Sequence, residues 1–239
     1  MNSITVSVNY DDLLALTLAG NRHHFQIVVV VTSKDDHQTR LVAEQLGCPT
    51  YLSEGFHANG ASFNKGLAIE EALSALSWNG WICHFDADIV LPVKMDFTNI
   101  EPGNLYTACR RLCRDPSDYH GQQDWSGFPL VPEKDPFDCG AVQFFHTDDP
   151  VLTTRPWYPT EWKHAGVSDT VFNAKWPANK RHYLPFEVLH LGEPYVNWHG
   201  RQTRRLDGTI LEGAAEARKA MKLMYAARRK RGYELEKLP

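Results

Sequence analysis

Asp86 and Asp88 are the residues of this 239-residue sequence whose type and spacing most directly suggest chemistry. They follow a short apolar run, residues 81–85, bounded by Asn79 and Gly80, which reads as a buried strand. Residues two apart in an extended chain point the same way, so both carboxylates are expected to face one point past the strand end. In open α/β sheets ligands sit there. Two carboxylates suit Mg²⁺ or Mn²⁺, whose shell is then completed by phosphate oxygens and water, so the pair suggests a metal-bridged diphosphate. The plain alternative is a strand end carrying two solvated acids. His190 also follows directly on an apolar run, residues 185–189, and a neutral imidazole ligates Mn²⁺ well beside carboxylates; otherwise it is a satisfied core or surface histidine. Phe63-Asn64-Lys65-Gly66 opens a helix upstream of the acids. The free N–H groups and positive dipole end of a helix start suit phosphate, and Lys65 adds charge there, while Asn64 also fits the ordinary role of helix cap. Asp169 stands at the start of another short helix, either as a residue favoured by the dipole or as a general base for a hydroxyl nucleophile. Tryptophans 157, 162 and 176 surround that segment and Trp198 follows His190; some belong to the core, and an indole at a cleft edge can stack on a sugar or base.

The elements that must position these residues alternate. Strands are expected over residues 4–8, 27–31, 50–52 and 81–85, with helices from Asp11 through Leu18, from the Thr32–Asp36 turn through Leu46, and over 63–76. The β-branched run 27–31 reads as a central strand buried on both faces. This order argues a parallel, Rossmann-like sheet, without the Gly-x-Gly-x-x-Gly of dinucleotide binders. Further strands are expected over 104–109, 140–145 and 185–189, a short helix from Ser168 or Asp169 through Trp176, and an Ala-rich helix over 211–231. Residues 115–138 carry Pro, Gly, Asp and aromatics without periodicity, which suggests a lid or binding loop.

Length and composition allow one large domain with an appendage and a sizeable core. No run approaches the ~18 apolar residues of a membrane span, and the N-terminus lacks a basic region followed by an apolar one. Five irregularly spaced cysteines read as free thiols. The expected location is therefore the cytoplasm, bacterial or of a phage-infected host, with no membrane association. The net charge of −4 is unevenly spread: residues 201–239 carry +6 and the remainder −10. A basic tail on an acidic body suggests an anionic partner such as nucleic acid, or else a solvated basic helix.

Taken together, Val8-Asn9-Tyr10, Phe63 to Gly66, Asp86-Ala87-Asp88, Gly166 to Asp169 and Val188-Leu189-His190 followed by Leu191-Gly192 resemble the GT-A glycosyltransferases, in particular small family-2-like members and the phage TET/JBP-associated group, over roughly residues 4–201. The resemblance implies an α/β GT-A fold, a mostly parallel Rossmann-like sheet flanked by helices, spanning residues 1–200, with a basic C-terminal helical segment, 201–239, packed on it. It implies a metal-dependent, inverting hexosyltransferase using a UDP-sugar. Asp86, Asp88 and His190 would hold Mn²⁺ or Mg²⁺. Val8, Asn9, Tyr10, Asp36, Asn64, Lys65, Asp86 and Ala87 would contact the nucleotide-sugar. Asp169 would be the base, although Ser168 stands where such enzymes usually carry an acid. Trp125, Trp157, Trp162, His164, Trp198 and Arg201 would face the acceptor. The expected acceptor is 5-hydroxymethylcytosine in double-stranded DNA, its phosphates met by Arg201, Arg204, Arg205 and basic residues of 218–231; a glycan, lipid-linked sugar or protein is the alternative.

Two rival readings compete. Asp86 to Val90 also fits the Asp-x-Asp-x-Val stretch of haloacid-dehalogenase-like phosphatases, with Asp148-Asp149 as their later acidic pair, the first Asp acting as nucleophile. The third reading is a non-catalytic module that binds a nucleotide-sugar or nucleic acid.

Overall fold

The computed structural model of the protein describes residues 1–131, 140–194 and 196–212. Eight strands form one sheet in the order β3-β2-β1-β4-β7-β6-β8-β5. The first half is β1 (Asn2–Val6), β2 (Val28–Ser33), β3 (Thr50–Ser53) and β4 (Trp81–Asp86), all parallel to one another. Helices α1 (Asp11–Asn21), α2 (His37–Gln45) and α3 (Lys65–Leu76) connect them. This is the expected Rossmann-like half, and parallel order requires such crossovers. The second half adds β5 (Ile89–Val90), β6 (Leu105–Cys113), β7 (Val142–His146), the short helix α4 (Ser168–Asn173) and β8 (Arg181–Leu191). Here β7 runs antiparallel to β4 and β6, while β8 pairs parallel to β6 and antiparallel to β5.

Both faces of the sheet are covered, which is why β2 reads as four consecutive buried valines. Val28 and Val30 pack with Leu14, Leu18 and Ala43 on the α1–α2 face. Val31 packs with Ile4, Ile69, Phe172 and Trp176 on the α3–α4 face. The same alternation runs down β4: Cys83 and Phe85 join the first layer and Ile82 the second. His84 and Asp86 therefore share the α3–α4 face with Ile82.

Several bounds differ from the sequence expectation for physical reasons. The first strand stops at Val6 because Asn9 takes a left-handed φ of 62°, a conformation Asn tolerates better than most residues. Strand β8 is twice the expected length, and its register against β6 slips between Thr107 and Cys109, opposite Pro185, a residue with no N–H for the ladder. Part of the 115–138 region returns to the sheet: the Leu112 and Val131 amides donate to Pro129 and Arg110 carbonyls. Residues 132–139 of that region lie outside the described residues, as does the expected helix over 211–231 beyond its first two positions.

Candidate active site

Strand β4 ends at Asp86, and Ala87 and Asp88 form a turn before β5. Residues 87 and 88 turn, so the i and i+2 alignment of an extended chain does not by itself carry past the strand end. Each acid meets its own partners.

Asp86 stays on the α3–α4 face. Lys65, the first residue of α3, reaches its Oδ1 at 2.6 Å and both oxygens of Asp169 at 3.1 Å. The Lys65 side chain is only 6% exposed and Asp169 20%. Burial alone would lower the Lys65 ammonium; Asp169 and Asp86 outweigh it and hold its pKa above the usual lysine value. Burial pushes Asp169 up to about 6, opposed by the Lys65 charge and reinforced by Asp86. Asn64 caps α3 by accepting from the Leu67 amide at 3.0 Å and donates to the Thr160 carbonyl at 2.7 Å. Two glycines permit the approach. A Cβ at Gly66 would lie 2.1 Å from the Pro159 carbonyl oxygen, and one at Gly140 would lie 2.3 Å from the Asp169 Cβ.

Beneath Asp86, His84 is fully buried in β4. Its Nδ1 meets Gln143 Oε1 at 2.8 Å, which also accepts from the Tyr158 hydroxyl, while Gln143 Nε2 donates to Asn173. Burial and then the Lys65 charge press His84 down to about 4, so it is neutral. Sequence reasoning missed this network; the alternating polar residue in an apolar strand was its one signal.

Asp88 turns to β8. Ile89 pairs with His190, and the Leu191 amide donates to the Asp88 carbonyl at 2.8 Å. Asp88 Oδ2 and His190 Nε2 stand 3.4 Å apart, both side chains nearly buried. Burial would raise Asp88, but the adjacent His190 outweighs it and the net pKa is low. Asn21 of α1 fixes the turn from behind, donating to the Ile89 carbonyl and accepting from the Leu91 amide. One carboxylate and one imidazole at this spacing suit a small divalent cation, whose ligands at about 2.1 Å stand roughly 3 Å from one another. Among the described residues no three His, Cys, Asp or Glu side chains close on one point; phosphate and water complete a shell of this kind.

The remaining expected residues divide. Val8 is buried with Ile4, Val31 and Phe63, while Asn9 and Tyr10 meet Arg201 and Tyr10 also lies near Asp88 and Asp86. Tyr10, raised by burial and by Asp88, sits under the Arg201 guanidinium at 4.8 Å. Arg201 is itself buried: it pairs with both oxygens of Asp12 and donates to the Asn9 carbonyl at 2.9 Å. Arg205 pairs likewise with Asp11. The two arginines expected on DNA phosphates or acceptor thus close the first loop of the sheet. Asp36, expected on the nucleotide, caps α2 and accepts from the Asn9 amide at 2.6 Å and from the Thr39 amide and hydroxyl. Ala87 is buried, its carbonyl held by Thr17.

Among the expected acceptor residues, Trp157 belongs to the core: its indole donates to the Leu152 carbonyl, and Glu70 of α3 accepts its amide. Trp125 is buried against Leu13, Val90 and Leu189. Burial under packed loops is the physical reason neither indole is open to a ligand. Trp162 is exposed, while His164 and Trp198 are half-buried by Gly166. Asp148-Asp149 lies at the opposite end of β4, where Trp81 pairs with His146, about 16 Å of strand away from Asp86. The two acid pairs cannot share a phosphate.

No family model matches the chain, and no curated protein sequence matches it. Solved structures do. Glucosyl-3-phosphoglycerate synthase from Mycobacterium tuberculosis, in complex with Mn²⁺, UDP and glucosyl-3-phosphoglycerate, aligns at a TM-score of 0.53 and 12% identity over 81% of this chain and 72% of that one. A mannosyltransferase from Pyrobaculum calidifontis, in complex with GDP-Man and Mn²⁺, aligns at 0.52 and 16% over 81% of this chain and 57% of that one. These neighbours are GT-A glycosyltransferases, and the likeness is one of fold: the chain has the mixed α/β, Rossmann-like GT-A architecture.

Proposed function

We propose that the protein is a metal-dependent glycosyltransferase that moves a hexose from a nucleoside-diphosphate donor, UDP-hexose foremost, to an acceptor hydroxyl with inversion. The observation that carries the reading is the meeting of the Asp88–His190 pair with the Lys65–Asp86–Asp169 cluster at the carboxyl end of β4, the ligand position of an open α/β sheet. Structural neighbours in complex with Mn²⁺ and nucleotide or nucleotide-sugar support it.

Asp88 and His190 would hold Mn²⁺ or Mg²⁺, which when bound neutralises charge building on the departing nucleoside diphosphate. Asp86 faces Lys65 and belongs to the second cluster. The loop of Val8, Asn9 and Tyr10, held by Arg201 and Asp36, borders the donor's place. Asp169 takes the proton of the acceptor hydroxyl as that oxygen attacks the anomeric carbon from the face opposite the leaving group. Trp162, His164 and Trp198 form the acceptor side.

Hydroxymethylcytosine in DNA is an acceptor carried by the sequence resemblance alone, since Arg201 and Arg205 are ion-paired internally. The test incubates the protein with Mn²⁺ and UDP-glucose or GDP-mannose, with and without DNA carrying that base, then measures nucleoside diphosphate release and weighs the digested nucleosides. Release abolished by Asp88→Asn is expected. A hexose gained by the base establishes the DNA acceptor; release without that gain moves the acceptor to a glycan, lipid-linked sugar or protein. Binding of either donor without any release would make the chain a binding module instead.

A further inference from the structure

Lys65 was expected to meet donor phosphate from a helix start, and its surroundings argue otherwise. An ammonium has three N–H donors and no acceptor. Lys65 Nζ stands within hydrogen-bond distance of three oxygens, Asp86 Oδ1 at 2.6 Å and both Asp169 oxygens at 3.1 Å. Its donors are thus matched within the fold, and its side chain is 6% exposed. The backbone that carries it is fixed on two sides: Asn64 caps the helix and ties it to Thr160, and Gly66 lies directly against the Pro159 carbonyl. Across from it, Asp169 packs on Gly140, so close that a Cβ there would lie 2.3 Å from the Asp169 Cβ.

We infer that Lys65 is a positioning residue for Asp169: its ammonium locks the carboxylate in place and balances its charge and that of Asp86, and it makes no phosphate contact. The consequence for turnover rests on the glycosyltransferase reading; the locking does not. Among the described residues, the charged and titratable groups that face Asp169 are Lys65 from α3, Asp86 from β4 and the buried Tyr158 hydroxyl. The neighbouring Asp86 carboxylate, of like charge, disfavours ionisation of Asp169, and the cation between them favours it. Burial already pushes Asp169 up to about 6 with Lys65 in place.

The experiment titrates the Asp169 side-chain carboxyl by ¹³C NMR in the full chain, assigned with Asp169→Asn. No ligand is needed. Lys65→Met is expected to move the midpoint upward by about one pH unit or more, and Lys65→Arg to leave it within about half a unit. Should Lys65→Met fail to fold, Asp86→Asn serves: removing the neighbouring carboxylate moves the midpoint downward. An Asp169 midpoint unmoved by Lys65→Met, or by Asp86→Asn where that variant stands in, overturns the inference. A kinetic arm with UDP-glucose and Mn²⁺ separates the roles. Positioning predicts kcat lowered about tenfold or more in Lys65→Met with donor KM held, and partial recovery in Lys65→Arg. A raised donor KM with kcat held reinstates the phosphate contact and also overturns the inference. Absence of turnover in the unmodified protein counts against the glycosyltransferase reading, and the NMR arm still decides the locking.

Discussion

Asp86 and Asp88 stand two residues apart, yet one is held by an ammonium and the other faces an imidazole. Past the turn at Ala87 and Asp88 their partners differ: Asp86 meets Lys65 of α3, which also holds Asp169 of α4, and Asp88 meets His190 of β8. The Asp86 side is an ion-paired network, with three carboxylate oxygens around the Lys65 ammonium. The Asp88 side pairs a carboxylate with an imidazole, two groups whose oxygen and nitrogen atoms can serve an added cation. Under the proposed function, two acids so near in sequence divide the labour of one site, one beside the base and the other serving a metal.

The sharpest way to break this comparison is to neutralise each acid in turn. Asp88→Asn is expected to abolish Mn²⁺ binding, read by electron paramagnetic resonance, and to lower turnover about a thousandfold or more, the loss of several kcal/mol of charge stabilisation. Asp86→Asn is expected to keep Mn²⁺ binding; equal loss of the metal in both variants would merge the two regions into one. Asp169→Asn comes next: turnover falls about a hundredfold or more while affinity for Mn²⁺ with UDP holds, and a matching loss of affinity would remove Asp169 from the role of base. The arginine clasp beside both acids gives a smaller, structural effect. Arg201→Gln leaves the Asp12 carboxylate buried without its partner, so denaturant unfolding is expected to show a loss of about 3 kcal/mol. The smallest effect is on pH. A base must be ionised, and Asp169 titrates at about 6, so turnover is expected to be flat above that pH and to fall roughly tenfold per pH unit below it. The same elevation makes ionised Asp169 a cost to the fold: its contribution to stability declines as pH rises from the unfolded carboxylate value through 6. A rate that stays flat down to pH 4.5 would assign the proton transfer to another group.

Much of the frame is legible in the sequence because hydrophobic periodicity reports burial directly. Four buried valines announce β2, and the strand–helix alternation announces the parallel half. The positions of Lys65 at a helix start, Asp86 at a strand end and Asp169 in a first helical turn were equally readable. Less legible were elements held by tertiary contact rather than local preference. The two-residue β5 exists because Asn21 and β8 supply its hydrogen bonds. The family resemblance sets Asp36 on the nucleotide and charge sets Arg201 and Arg205 on phosphate, and only the fold shows Asp36 capping α2 and the two arginines paired with Asp12 and Asp11.

The sequence by itself determined which residues stand at the ends of which elements, since strand and helix periods are local properties of the chain. It thereby brought Asp86, Asp88, Asp169 and His190 to one edge of the sheet. What each side chain faces was decided by tertiary structure. Partners 21 and 104 residues from Lys65, with His190 far along the chain from Asp88, complete the two clusters. Hydrogen bonds and ion pairs across such separations depend on packing, and no local pattern encodes them.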